Sequence, residues 1–80
     1  MNKIILADPQ AIFRAGTAKV VAMDEDFRIV AQCEDVERMM QAITAFPGAI
    51  VLFASSLSPK IGRLSMMLEA AGSRAIRREQ

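Results

Sequence analysis

Two short runs, Ile4-Ile5-Leu6-Ala7 and Ala49-Ile50-Val51-Leu52-Phe53-Ala54, are apolar at every position, and this lack of alternation constrains the chain more than any other feature. A strand with one face in water alternates apolar and polar residues, because successive side chains point to opposite faces. A run without alternation is apolar on both faces, which suits a strand inside a parallel sheet with helices on each side. The first run stops at Asp8 and the second lies between Pro47-Gly48 and a serine-rich stretch, so both have strand length.

The segments between and after these runs have helical spacing. Ile12, Phe13, Gly16, Val20 and Val21 predict a helix with one apolar face within Gln10 to Met23, a stretch without proline. After the polar turn Asp24-Glu25-Asp26, the run Phe27-Arg28-Ile29-Val30-Ala31 predicts a second strand near a sheet edge. Phe27, Ile29 and Ala31 are expected on one face and Arg28 on the other. Val36, Met39, Met40 and Ile43 predict a second helix, with Asp35 as its N-cap and Pro47-Gly48 as its stop. Ser58-Pro59 opens a third helical stripe, Ile61, Leu64, Leu68 and Ala71, which ends at Gly72. Met39, Met40, Met66 and Met67 at these spacings read as core filling rather than as an adaptable binding surface.

The order is β-α-β-α-β-α. A weak Ser73-Arg74-Ala75-Ile76 then begins like a fourth strand and dissolves into charge, so Arg74, Arg77 and Arg78 read as a solvated, frayed tail. Such alternation predicts an α/β fold of parallel strands joined by right-handed helical crossovers. Residues 1–80 form one unit without repeats or linkers.

Composition narrows the function. A chain of 80 residues supports one modest core, burying about 60% of its unfolded surface. Ten basic and nine acidic side chains leave a net charge of +1, too little to neutralise several phosphates, so contact with DNA is expected only through a domain not in this chain. The lack of histidine removes the commonest metal ligand and general base, and the lone Cys33 excludes an internal disulfide. Cys33 reads as a small buried hydrophobe rather than a reactive thiol. No run approaches a membrane span and the apolar start is too short for a signal peptide, so a cytoplasmic location is expected.

One segment is specific enough to compare with a family. Leu6-Ala7-Asp8-Pro9-Gln10-Ala11-Ile12-Phe13-Arg14-Ala15-Gly16 resembles the first strand-to-helix junction of bacterial response-regulator receiver domains attached to LuxR/NarL-type DNA-binding regions, where Leu-Ala-Asp-Asp-His-Pro-Leu-Phe-Arg-x-Gly is typical. Asp26 to Asp35 is similar to the family's second strand and following turn, and the match runs from Lys3 to about Ile76. The resemblance implies a flavodoxin-like three-layer sandwich, incomplete at its C-terminal end, with strand order 2-1-3 and a short fourth strand near Arg74 to Ile76. It also implies the site of a phosphorylation switch: two adjacent acids for Mg²⁺ after the first strand and an acceptor aspartate at the end of the third.

This chain departs from that pattern at each point. Asp8 remains, Pro9 stands at the second acidic position, and the acceptor position is Ala54 by ungapped counting from Asp8 or Ser55 by counting back from Pro59. Neither residue can form an aspartyl phosphate. The chain ends before the family's switch Ser/Thr and Lys, and Lys60, at the start of the third helix, reads as solvated.

Asp8 is either a remnant metal ligand or, preferentially, the N-cap of the first helix, with Pro9 at the first helical position. Ser55, Ser56 and Ser58 offer an anion site at a helix N-terminus, or simply turn and capping hydroxyls. No metal site, cofactor or catalysis is expected, since no nucleophile-base pair, metal cluster or phosphate-cradling glycine loop is present. The expected function is that of a non-phosphorylatable receiver-like module acting by protein contacts in two-component or transcriptional regulation. The alternatives are a small-ligand or anion sensor using Asp8 and Ser55 to Ser58, and an inactive remnant of a longer, truncated regulator. Without a fourth strand, Ile50 to Phe53 would be an exposed edge, from which self-association, segment swapping or marginal stability is expected.

Overall fold

The first apolar run lies at the centre of the sheet. In the computed structural model, which describes residues 2–57 and 74–78, β1 (Asn2–Ala7) is paired on one side with β2 (Phe27–Cys33) and on the other with β3 (Ile50–Ala54). A fourth strand, β4 (Arg74–Arg78), pairs with β3, all pairings are parallel, and the order is β2-β1-β3-β4. The expected incomplete flavodoxin-like α/β arrangement with strand order 2-1-3 is therefore present, extended by the short fourth strand.

One expectation about the chain's end is corrected. Arg77 and Arg78 are strand residues, in register with Phe53 and Ala54, rather than a frayed tail. The exposed edge at Ile50 to Phe53 is conditional on the lack of a fourth strand, and with β4 paired there β3 is an interior strand. Each parallel pairing satisfies backbone groups that would otherwise lack partners. The third helical stripe lies outside the described residues, as do Ser58, Lys60, Met66 and Met67.

Helix α2 (Val36–Ala45) packs on one face of the sheet. Asp35 caps it as expected, its Oδ1 accepting the Arg38 N–H at 2.8 Å. Met39, Ala42 and Ile43 point inward to Ile5, Ala7, Val51 and Phe53, so Met39 is core filling and Met40 packs half-buried beside it. The helix stops at Phe46, whose carbonyl accepts the Ala49 N–H across Pro47-Gly48. Gly48 has φ +82°, the left-handed conformation that the third position of a type II turn requires.

Helix α1 (Ala11–Ala22) lies on the other face, over β1 and β2, and buries no residue fully. Its half-buried positions are Arg14, Thr17, Ala18 and Val21, spaced i, i+3, i+4 and i+7. The expected apolar face is split: Val21 turns toward the sheet, whereas Ile12, Phe13 and Val20 face outward, with Ile12 80% and Val20 68% exposed. Helical periodicity establishes that a helix has faces, while the sheet beneath selects which face is covered.

The second strand also departs from simple alternation. Ile29 pairs with Ile4 but Ala31 pairs with Ile5, leaving Val30 as an inserted residue. Ile29 therefore lies on the α1 side with Ile4, whereas Ala31 and Cys33 follow Ile5 and Ala7 to the α2 side. The expectation that Phe27, Ile29 and Ala31 share a face is corrected for this reason: one extra residue flips every later side chain.

The α2-side core dominates stability. Phe53→Ala, which empties a fully buried aromatic site, is expected to cost about 3–5 kcal/mol in urea unfolding. Ile12→Ala in the isolated chain should change it by only about 0.5 kcal/mol or less, as for an ordinary surface position.

Candidate functional site

The carboxyl ends of β1 and β3 meet where the chain reverses its direction of travel across the sheet, since β2 lies to one side of β1 and β3 to the other. In open parallel sheets this crevice is where ligands bind. A cavity of about 230 Å³ opens there on the α1 side. Its floor is Leu6, Leu52 and Ile76, its α1 wall carries Arg14 and Thr17, and Asp8 and Ala54 stand at its head.

Asp8 is placed by backbone pairing. Its N–H donates to the Cys33 carbonyl at 2.9 Å, extending the β1–β2 ladder by one residue. Asp8 is buried, and its Oδ1 accepts the Gln10 N–H at 2.9 Å across Pro9. This is an Asx turn, with proline at the one position that needs no N–H. The N-cap expected at Asp8 is thereby moved: the cap position is Gln10, which makes no side-chain capping bond, and the helix begins at Ala11 rather than at Pro9. A side chain two residues ahead of the cap secures the chain's entry into the helix instead of its first turn.

Arg14 completes the junction. Its Nη1 donates to the Asp8 carbonyl oxygen at 2.6 Å, tying α1 to the end of β1. Sequence reasoning missed Arg14 and Thr17 as site residues. The available signal was that Arg14, Thr17, Ala18 and Val21 form their own helical stripe, and an arginine on a sheet-facing stripe marks a strand end with polar groups to satisfy.

The sequence-predicted site residues separate. The β1–β3 register, Ala7 to Phe53, carries on to place Ala54 beside Asp8, both lining the cavity, and Ala54 is fully buried. Ser55 and Ser56 follow in a 3₁₀ turn, Ser55–Leu57, where Ser56 is exposed and is not part of the cavity's described lining. Ser58 lies outside the described residues.

A hard divalent ion needs several oxygen ligands. Asp8 supplies a carboxylate already engaged with Gln10 N–H, while Pro9 and Ala54 supply no side-chain oxygen, so these residues do not fit a Mg²⁺ site. Among the described residues, no three of His, Cys, Asp and Glu converge. None of their helices is long and apolar enough to cross a membrane.

Cys33, at the end of β2, is buried and free. Burial pushes its thiol above the ordinary value of 9.0, the Asp35 carboxylate adds to the rise, and Arg14 and Arg38 oppose it. The thiol is therefore protonated at neutral pH and a poor nucleophile.

No family model, curated protein or solved structure matches this chain.

Two tests follow from this geometry. Asp8→Ala should lower stability by about 1 kcal/mol through loss of the Asx bond. Asp8→Asn, which keeps the acceptor oxygen, should retain most of it in the same urea titration; equal damage from both would mean that the negative charge matters. For Cys33, the folded state holds its proton at higher pH than the unfolded state. Its contribution to stability should be complete below the ordinary thiol pKa of 9.0 and decline as pH rises beyond it. Unfolding curves of Cys33→Ala should lack that decline.

Proposed function

We propose that this chain is a non-phosphorylatable receiver-like module of a two-component or transcriptional response regulator, acting through protein contacts in the cytoplasm. The observation that carries the proposal is that a buried Asp8 and a buried Ala54 line one cavity at neighbouring strand ends. In this reading the acceptor-equivalent position at the end of β3 is Ala54 or Ser55, and neither is a carboxylate. Transfer to an acceptor depends on a nucleophile and on positive charge to neutralise the phosphoryl oxygens in flight. Ala54 offers no nucleophile, and Pro9 and Ala54 offer no side-chain oxygen to a metal ion.

Signalling in this proposal depends on surface complementarity with a protein partner, and DNA is reached only through another domain. Incubation with acetyl phosphate and Mg²⁺ tests it. Intact-mass spectrometry is expected to show no added phosphoryl group, and Mg²⁺ is expected to leave the amide spectrum around Asp8 unchanged. A hydroxylamine-labile adduct would overturn the proposal.

A second function is favoured by a separate observation. The cavity between β1 and β3 is lined mostly by apolar surface, with Arg14 and Thr17 among its residues, which suits a small, largely apolar ligand whose polar group Arg14 or Thr17 would orient. This keeps the sensor alternative, moved from Ser55 to Ser58 onto Arg14 and Thr17. Its volume of about 230 Å³ limits it to small molecules.

A further inference from the structure

The two helices cover the sheet differently. α2 seals its side with a fully buried Met39, whereas α1 buries no residue fully and leaves two adjoining cavities over the sheet. One is the cavity of about 230 Å³ at the head of β1. The other, of about 300 Å³, lies toward the opposite strand ends, over Ile4 and Ile50, with Val21 and Phe27 beside it. Leu52 and Ile76 line both, so the two form one furrow. Close-packed interiors contain few voids larger than a water molecule, and apolar space on this scale suits an occupant.

Strand periodicity sets the furrow's direction. Asn2, Ile4, Leu6 and Asp8 alternate onto one face along β1, as Ile50, Leu52 and Ala54 do along β3. The six residue steps from Asn2 to Asp8 give it a length of about 20 Å.

The wall is graded along that length. The sheet-facing stripe of α1 contributes Arg14 and Thr17 at the Asp8 end and Val21 at the Phe27 end. Between these ends the surface is hydrocarbon, and the exposed Asn2 stands at the far mouth. This is the distribution of an amphiphile. A docking protein helix presents an apolar stripe along its whole length and would set part of it against Arg14 and Thr17.

The polar end selects the head. The Arg14 Nη1 bond to the Asp8 carbonyl fixes the guanidinium and uses one of its five N–H donors. Asp8 lines the same end and is buried, so an anionic head would meet a carboxylate as well as a guanidinium. A hydrogen-bonding head without net charge avoids that repulsion.

We propose that the furrow binds a single-chain amphiphile: an unbranched alkyl chain with a compact, uncharged head such as an alcohol or amide. The head oxygen accepts from Arg14 or Thr17, and the chain runs across Leu52 and Ile76 to the space between Val21 and Ile50. The proposal rests on the sensor reading of the β1–β3 cavity and deepens it by naming the ligand's class and orientation.

Titration of the full chain with 1-alkanols from hexanol to decanol, followed by methyl and amide NMR, is the test. Each added methylene should tighten binding about fourfold. Hexanol should shift the signals of Leu6 and Thr17, and decanol should extend the changes through Leu52 and Ile76 to Val21 and Ile50. Leu52→Trp, which fills the junction of the two cavities, should retain hexanol binding and abolish the gain with chain length. Val21→Asp should weaken decanol about tenfold or more and leave hexanol unchanged, with circular dichroism confirming that both variants are folded. Decanoate should bind more weakly than decanol.

Hexanol binding with no gain at decanol would overturn this inference and leave the sensor reading standing, whereas no response to any alkanol would overturn both. Chain-length dependence that survives both variants would count against the furrow, and tighter binding of decanoate would count against the uncharged head. In the ligand-free chain, concentration-dependent shifts confined to Leu52 and Ile76 would mean that a second copy occupies the furrow. Nuclear Overhauser contacts from residues 58–73 to Leu52 or Ile76 would mean that the chain fills it from within, and either result would overturn the proposal.

Discussion

The sheet is organised by the double burial of β1. Ile4, Ile5, Leu6 and Ala7 are each at most 3% exposed, and the strand is hydrogen-bonded on both sides. A strand segment with no polar side chain, such as Ile4 to Ala7, is satisfied where both faces are covered and both edges paired, because elsewhere its surface or its backbone groups would be left unsatisfied. The other elements follow: β2 and β3 supply the edges, α2 covers the Ile5–Ala7 side, and α1 lies over the Ile4–Leu6 side. Asp8 is the first polar residue after this strand, and its burial is a consequence of where β1 ends.

The strand-end junction combines two effects that hold a helix against a sheet. The Asp8 carboxylate secures the turn into α1, and Arg14 returns from the helix to the Asp8 carbonyl. Both bonds engage backbone groups, so the geometry survives without any metal-binding chemistry. This accounts for a pocket that has the position and shape of a functional crevice but few side-chain oxygens. On the opposite side, the raised thiol of Cys33 reflects the same burial, which makes it a packing residue rather than a reactive one.

Legibility differed between elements for physical reasons. The uniformly apolar strands and the Asp35-capped α2 were plain in the sequence, since burial on both faces and capping leave unambiguous local signatures. Counting along the chain left Ala54 and Ser55 as alternatives at the end of the third strand, and the fold brings Ala54 into the cavity with Asp8. The covered face of α1 was not legible, because two stripes on that helix compete and the more apolar one faces outward. The insertion at Val30 was equally hidden, as a strand with an extra residue has the same composition as one without. β4 was obscured by its arginines, whose charge resembles that of a tail until β3 offers them a ladder.

By itself, the sequence determined the element types of the described segments and their alternation, since each is a property of residues within a few positions of one another. Tertiary structure alone decided which side of α1 meets the sheet, where the β2 register shifts, that Arg74–Arg78 joins as a strand, and that Arg14 locks onto the end of β1. These outcomes depend on surfaces distant in the chain meeting in space. Local propensity ranks the options for each segment, and the partner across the sheet selects among them.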